Sequence, residues 1–276
     1  MTRSVRRTRR MLQLAGAGAA ALMALSACSS SSGSAKSKDT SASSGSSASP
    51  KLSGSVTVFA AASLKESFTT LGKEFEKQHP GTHVNFNFGG SDTLAASITG
   101  GAPADVFAAA SPKTMKIVTA KNDAVGTPAT FVRNQLEIAT VPGNPHKVAS
   151  LKDLTKSGLK VVLCDKTVPC GAAAQKALDA SHLKLTPVSY EQDVKGALNK
   201  VELKEADAAV VYKTDVHAAG DKVGGVEFPE SAKAINDYPI VLLKNAPNAE
   251  TAKAFIALVQ SAEGQKVLSQ AGFLKP

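Results

Sequence analysis

Two of the three cysteines lie close together, in the segment LCDKTVPCGAAAQKAL at residues 163–178. Cys164 and Cys170 are six positions apart, where an apolar run ends and an alanine-rich helical pattern begins. Such a pair could be a redox centre, a metal site, a catalytic thiol or a disulfide. The spacing does not match Cys-x-x-Cys, and no histidine lies nearby to complete a metal site or to activate a thiolate.

Small and hydroxyl-bearing residues recur at three junctions where a strand pattern gives way to a helical pattern. The junctions are FAAASL (59–64), FGGSDTL (88–94) and DKTVPCG (165–171). Small side chains let a ligand approach the backbone, and the first N–H groups of a helix have no partner within the helix. Several such helix ends facing one point would bind an anion. The alternative is that Ser63 and Ser91 are ordinary N-cap residues.

Catalytic motifs are incomplete. Ser157-Gly158-Leu159-Lys160 fits S-x-x-K, but the companion motifs Lys-Thr-Gly and Ser-Asp-Asn are missing. A serine hydrolase using Ser63 or Ser91 would need a histidine base, and the sequence nominates none. The five histidines are scattered, without His-Glu-x-x-His, so we expect no zinc site. No Gly-x-x-x-x-Gly-Lys loop is present, so ATP hydrolysis would belong to another subunit. We therefore expect a binding protein without a cofactor rather than an enzyme.

The N-terminus has the pattern of an export signal. Five arginines precede the uncharged run MLQLAGAGAAALMAL, and Leu25-Ser26-Ala27-Cys28 resembles the bacterial lipobox, in which the cysteine is lipidated. An ordinary cleaved signal with a chance cysteine is the alternative. We expect a signal peptide over 1–27, a lipidated Cys28 and a serine-rich tether over 28–51, where residues 29–50 contain 12 serines. These features predict an exported protein anchored by lipid at the outer face of the cytoplasmic membrane.

The net charge of the folded part is small. The whole chain has a formal net charge of +9, with 32 basic and 23 acidic residues, but eight of the basic residues and one acid precede residue 52. The remaining 24 basic and 22 acidic residues leave a net charge of +2. This value gives no reason to expect a nucleic-acid partner.

Strand and helix patterns alternate along the remaining sequence. SVTVFAA, HVNFNFG, ADVFAAA, LKVVLC, ADAAVVY and NDYPIVLLK have strand patterns. Leu64, Phe68, Leu71 and Phe75 recur at helical spacing, and SDTLAASIT and the tail from residue 248 to 273 also have helical patterns. This alternation predicts an α/β fold with mostly parallel sheets, in which ligands bind beyond the carboxyl ends of strands.

The segments VFAAASL, GGSDTLAASITGGAPADVFAAA, VPCGAAAQKAL and QDVKGALNKVELKEADAAVVYKTDV together resemble the molybdate-binding proteins of bacterial ABC importers. The resemblance runs in order over about residues 54–276. It implies two α/β lobes, each a sheet flanked by helices, joined by two crossing segments near residues 130–133 and 237–240. Lobe 1 would comprise residues 54–131 and 239–276, and lobe 2 residues 132–238. The lobes would close over a tetrahedral oxyanion.

The resemblance also implies a set of anion-binding residues. Hydroxyl groups of two serines and a tyrosine, and backbone N–H groups, hold the anion in this family. The matching positions here are Ser63, Ser91, Cys170, Val194 and Tyr212. Cys170 stands where the family often has alanine, so its backbone N–H would bind. Asp92 departs from the pattern, and a carboxylate pointing inward would put the role of Ser91 in doubt.

The ligand implied by the resemblance is molybdate or tungstate, which the protein would deliver as a monomer to a cognate ABC permease and its ATPase. Arg133 is the only arginine after the signal, so we do not expect the anion to be held by a clamp of arginine side chains. A site of neutral donors suits an anion that offers only acceptors, whereas hydrogen phosphate carries a proton that needs an acceptor. Sulfate, thiosulfate and phosphate remain the alternative ligands.

The resemblance and the export signal together decide the interpretation of the cysteines. Lipidation would remove Cys28 from the count, and disulfides persist outside the cytoplasm. We therefore predict a Cys164–Cys170 disulfide that closes the DKTVP loop, with two buried free thiols as the alternative.

Overall fold

The computed structural model describes residues 52–276. The predicted signal peptide, the lipidation site Cys28 and the tether to residue 51 lie outside the described residues. No helix within 52–276 has the length and apolar composition needed to cross a membrane.

The described part of the chain contains two five-stranded sheets. The strands are β1 (Gly54–Ala61), β2 (Thr82–Gly89), β3 (Val106–Ala108), β4 (Ala124–Asn134), β5 (Leu136–Thr140), β6 (Val161–Cys164), β7 (Ser189–Glu191), β8 (Ala208–Tyr212), β9 (Gly224–Val226) and β10 (Asn236–Leu243). One sheet has the order β2-β1-β3-β10-β4 and the other the order β7-β6-β8-β5-β9. We call these the first and the second lobe.

Helices flank both sheets. They are α1 (Lys65–Gln78), α2 (Ser91–Thr99), α3 (Pro112–Thr119), α4 (Pro169–Ala180), α5 (Val194–Glu202), α6 (Lys213–Ala219), α7 (Ala249–Gln260) and α8 (Ala262–Gln270). A 3-10 helix, Ala62–Leu64, leads directly into α1. Helices α1, α2, α3, α7 and α8 belong to the first lobe, and α4, α5 and α6 to the second.

The alternation of side chains in the strands of the first lobe builds a core on each face of its sheet. Val56, Val58 and Ala60 of β1 belong to the large core that includes α1 and α7, whereas Phe59 belongs to a smaller core with α2 and α3. Because successive strand residues point to opposite faces, an apolar run buries both. The sheet is therefore packed between two layers of helices, which fix the positions of its strand ends.

Each sheet is mixed. In the first lobe β1 pairs in parallel with β2 and β3, whereas β10 runs antiparallel to β3 and β4. In the second lobe β6 pairs in parallel with β7 and β8, whereas β5 runs antiparallel to β8 and β9. The α/β fold is confirmed, but the antiparallel share is larger than predicted, because adjacent strand patterns do not reveal the direction of strands that pair across the chain.

The chain passes between the sheets at two neighbouring places. It leaves the first sheet at the end of β4 and enters β5 after Gln135, and it returns through β10. Strands β4 and β10 pair with each other, with irregular register at Tyr238/Pro239 and Ile240/Leu242. The predicted lobe boundaries, between residues 131 and 132 and between 238 and 239, fall inside these two strands, and the boundaries themselves stay a prediction.

Candidate functional site

A cavity lies where the carboxyl ends of strands from both lobes face each other. It encloses about 230 Å³ of empty space, including the part open to solvent. The N-terminal ends of four helical segments border it: the 3-10 helix leading into α1, α2, α4 and α5. Because the first N–H groups of a helix lack partners within it and carry the positive end of the helix dipole, this arrangement suits an anion.

The structure brings all five of the predicted site residues to this cavity. Its lining includes Ser63, Ser91, Cys170, Val194 and Tyr212. The two serines come from the first lobe and the other three from the second, so the cavity is shared between the lobes. Their role as anion ligands stays a prediction.

Neither serine caps its own helix, which removes the alternative interpretation of the two junctions. Gly90 is the N-cap of α2, and Ser91 is the first helical residue; its Oγ accepts a hydrogen bond from the Ala110 N–H at 3.0 Å. Ser63 lies inside the 3-10 helix, and its Oγ is 2.8 Å from the Tyr238 hydroxyl. Both serines are buried, so each hydroxyl is fixed by a partner from outside its helix.

Tyr212 ends β8 and brings a buried phenol to the cavity. Its hydroxyl oxygen accepts a hydrogen bond from Asn236 Nδ2 at 2.6 Å. Burial and then the neighbouring Tyr238 raise the pKa of Tyr212 well above its ordinary value. The phenol is therefore neutral near pH 7 and keeps its proton for donation.

The cavity has no cationic side chain among the described residues that line it. Arg133 is exposed and pairs with Asp237 at 2.8 Å.

Asp92 is not part of the lining of the cavity, although its Oδ1 is buried without a hydrogen-bond partner in the described structure. The carboxylate that does reach the lining is Asp193, whose Oδ1 accepts the Gly196 N–H at 2.9 Å and so caps α5. Sequence reasoning singled out Asp92 and missed Asp193.

The arrangement does not resemble a hydrolase. His217 shares a neighbouring pocket with Ser63, but within residues 52–276 the Ser63 hydroxyl is bonded to a tyrosine and not to a histidine. Ser91 is bonded to a backbone N–H, which cannot accept its proton. A nucleophilic serine needs a base that can take that proton. Across the same residues, no group of three or more His, Cys, Asp or Glu side chains is placed to hold a metal ion.

Cys164 and Cys170 are bonded to each other, with Cα atoms 5.8 Å apart. Cys164 ends β6, and Cys170 is the second residue of α4. Gly171 follows at a place where a Cβ would lie 1.8 Å from the Asp165 carbonyl oxygen. The loop therefore packs directly on the first turn of α4, which is one of the four helix ends at the cavity.

Contacts across the cleft hold the two lobes against each other. Lys195 of α5 lies 3.1 Å from Asp215 Oδ1 of α6 and 2.9 Å from Glu66 Oε2 of α1, so this ammonium group bridges both lobes. A Cβ on Gly90 would lie 2.6 Å from the Gln192 carbonyl oxygen of the second lobe. The cleft is thus closed, and Gly90 permits the close approach.

Burial raises the pKa of Asp215 to about 6, although Lys195 and the Tyr212 N–H oppose the shift. Burial lowers the pKa of Lys195, but Asp215 and Glu66 outweigh this effect and the net shift is upward. Lys195 is therefore charged, and the cluster places no free cation in the cavity.

The comparison with known proteins gives consistent results. A family model of bacterial extracellular solute-binding proteins matches residues 56–274. The molybdate-binding protein ModA of Mycobacterium tuberculosis is 44% identical over 222 residues, which are 80% of this chain and 85% of the relative. The putative ABC transporter substrate-binding lipoprotein YvgL of Bacillus subtilis is 30% identical over 227 residues, 79% of this chain and 86% of the relative.

A solved structure shares the fold. The periplasmic molybdate-binding protein of Azotobacter vinelandii superposes with a TM-score of 0.70 at 21% identity, covering 80% of this chain and 99% of that one.

Proposed function

This chain belongs to the family of bacterial extracellular solute-binding proteins, and from this premise we propose that it captures molybdate or tungstate in the cavity between its lobes. One observation supports an anionic ligand: four helical N-termini and three hydroxyl groups converge on one cavity. The relative from M. tuberculosis, 44% identical, supports molybdate as that anion.

The site would hold a dianion by hydrogen bonds rather than by opposite charge. Ser63, Ser91 and Tyr212 supply hydroxyl donors, and the backbone N–H groups of Cys170 and Val194 supply two more. Hydrogen bonds to charged groups contribute about 1.5–3 kcal/mol each. Neutral donors that are fixed in place by the fold need little reorganisation when the anion arrives.

Selection among anions would rest on two different properties. The hydroxyl and backbone N–H donors suit an anion that offers only acceptors, whereas hydrogen phosphate carries a proton that needs an acceptor. The one carboxylate among the described lining residues, Asp193, has its Oδ1 engaged by the Gly196 N–H. Sulfate offers only acceptors, as molybdate and tungstate do, so its rejection must depend on the size of the cavity. The protein would perform no chemistry on its ligand and require no cofactor.

We propose the same location and partners as the sequence predicts. A monomer held at the outer face of the cytoplasmic membrane by a lipid on Cys28 would pass the anion to an ABC permease driven by a separate ATPase subunit. The named lipoprotein of B. subtilis among its relatives supports the anchor. Metabolic labelling with a fatty acid, with Cys28→Ser as the control, tests it.

Isothermal titration of the purified protein with molybdate, tungstate, sulfate and phosphate tests the ligand. We expect tight binding of molybdate and tungstate, much weaker binding of sulfate and almost none of phosphate. Sulfate binding as tight as molybdate binding would contradict the proposal.

A further inference from the structure

Each of the three hydroxyl groups at the cavity has a hydrogen-bond donor or a second hydroxyl behind it. Ser91 Oγ accepts the Ala110 N–H, and the Tyr212 oxygen accepts from Asn236 Nδ2. Ser63 Oγ is 2.8 Å from the Tyr238 hydroxyl, a contact in which either oxygen could donate. The direction of this last bond decides which way the Ser63 proton points.

Asn134 engages one lone pair of the Tyr238 oxygen, and the Tyr238 proton then decides the direction. The Asn134 Oδ1 accepts the Gln135 backbone N–H at 3.0 Å, so its Nδ2 must be the atom that faces Thr214 and Tyr238. An amide nitrogen only donates, and therefore the Tyr238 oxygen accepts from Asn134 at 3.3 Å. Tyr238 is fully buried, and among its hydrogen-bond partners in residues 52–276 only Ser63 Oγ can accept. Because buried donors are satisfied, the Tyr238 proton goes to Ser63 Oγ, which leaves the Ser63 proton for the cavity.

Asn236 is oriented in the same way. Its Nδ2 also lies 3.4 Å from the Pro169 carbonyl oxygen, which can only accept. The nitrogen therefore faces Tyr212, and the Tyr212 proton is left over. Rotation about the phenol C–O bond can turn that proton toward an anion in the cavity.

We infer that Asn134, Asn236 and Tyr238 are specificity-determining residues, which act from behind the cavity by directing the protons of Ser63 and Tyr212 into it. All three belong to β4 and β10, the strands through which the chain passes between the lobes. With one lone pair of each hydroxyl engaged from behind and its proton directed forward, the three hydroxyls meet an anion as donors, and the proton of hydrogen phosphate opposes that orientation. The inference rests on the proposed function, because it assigns the selectivity of that same site.

Tyr238→Phe is the direct test, because it removes the donor behind Ser63 without a change of charge and with little change of volume. Ser63 can then rotate and accept the phosphate proton. We expect the ratio of phosphate to molybdate dissociation constants to fall about tenfold or more. Tyr190→Phe, at an exposed tyrosine on β7, is the matched control and should keep the wild-type ratio.

Asn236→Asp is a second, independent test. A carboxylate there accepts the Tyr212 proton and leaves a lone pair facing the cavity. Its negative charge weakens the binding of every dianion, so the readout is again the ratio of phosphate to molybdate dissociation constants. The ratio is measured at about pH 8, where phosphate is mainly a dianion like molybdate. Asn87→Asp, at an exposed position of β2, controls for an added charge.

Both variants are measured on the purified full chain, with phosphate as a competitor of bound molybdate and with melting temperatures recorded alongside. A lowered ratio in either folded variant supports the inference, whatever its effect on stability. A ratio within about twofold of wild type in the folded variants overturns it and leaves the proposed function intact. If wild-type protein binds sulfate instead of molybdate, the proposed ligand is wrong, and the ratio of phosphate to sulfate dissociation constants tests the inference. Binding of no anion at all overturns both.

Discussion

Ser63 and Ser91 line the cavity, which distinguishes them from Ser67, the third buried serine described in the first lobe. Ser67, one helical turn after Ser63, is equally buried, but its Oγ donates to the Leu64 carbonyl and does not line the cavity. We expect Ser63→Ala and Ser91→Ala each to weaken molybdate binding by about 1–3 kcal/mol, because a charged acceptor loses a donor. Titration calorimetry measures the loss, and Ser67→Ala should bind as wild type.

Wild-type affinity in both cavity variants would mean that the serines have only a structural role. Tyr212→Phe should cost about as much as the serine changes, because Tyr212 is 1% exposed and water has little access to replace its hydroxyl.

Asp215 makes the stability of the protein depend on pH. Its pKa is raised from 3.8 to about 6 by burial, so between these values the folded state binds a proton that the unfolded state has released. The stabilisation from this group is complete below about pH 4 and is lost as the pH rises to about 6, by up to about 3 kcal/mol. We expect the unfolding free energy of wild type relative to Asp215→Asn to fall over this interval.

Urea unfolding of both proteins at pH values from about 4 to about 7 measures this difference. Parallel stability curves would show that Lys195 and Glu66 keep Asp215 ionised in the folded protein throughout.

At the scale of elements, the disulfide connects the end of β6 with the first turn of α4. Closing so short a loop restricts the unfolded chain by only about 2 kcal/mol. The bond should also affect binding, because the Cys170 N–H must be held at the cavity. We expect the double variant Cys164→Ser, Cys170→Ser to lose about 2 kcal/mol of stability and to bind molybdate several-fold more weakly.

Mass spectrometry of the protein, alkylated after denaturation without reductant, tests the bond itself. Uptake of the reagent by Cys164 and Cys170 would show that they are free thiols. Unchanged molybdate affinity in the double variant would mean that the disulfide does not contribute to anion binding.

The sequence predicts elements well where a single local pattern decides them. The predicted helix at residues 91–99 matches α2, and the predicted strand at 55–61 matches β1 to within one residue. The tail is less simple: its helical pattern divides at Ser261, whose Oγ accepts the Gly264 N–H and starts α8. The strands β4 and β5 have no clear alternation, so the antiparallel pairing of β4 with β10, and of β5 with β8 and β9, could be found only in three dimensions.

The same limit applies to the site. The five cavity residues follow from the resemblance, since each lies in a recognisable segment. Asn134 meets Tyr238 across 104 positions and Asn236 meets Tyr212 across 24, and no local pattern marks such partners. Asp193 could have been found, because an aspartate directly before a helical segment is a common N-cap.

At the scale of the whole molecule, closure requires that the lobes approach each other closely beside the cavity. At Gly90 a side chain would obstruct this approach, since its Cβ would lie 2.6 Å from the Gln192 carbonyl oxygen across the cleft. Gly90 has φ −60° and ψ 130°, values open to any residue. Within the first lobe the Cβ would also lie 2.9 Å from Asp92 Oδ1, a side-chain atom that can move, whereas the Gln192 carbonyl belongs to the backbone. The adjacent Gly89 also lines the cavity, but its Cβ would meet only Leu94, at an ordinary 3.8 Å. The two glycines therefore form a matched pair of positions.

We expect molybdate to reduce the radius of gyration of wild-type protein, because the ligand contacts both lobes only when they are closed and so shifts the population toward the compact state. Gly90→Ala should bind molybdate about tenfold more weakly and compact less at saturation, whereas Gly89→Ala should stay close to wild type in both respects. Small-angle scattering with and without molybdate, together with calorimetry, measures these effects. Wild-type affinity and compaction in Gly90→Ala would mean that the anion is bound without the close approach of the lobes at this edge of the cleft.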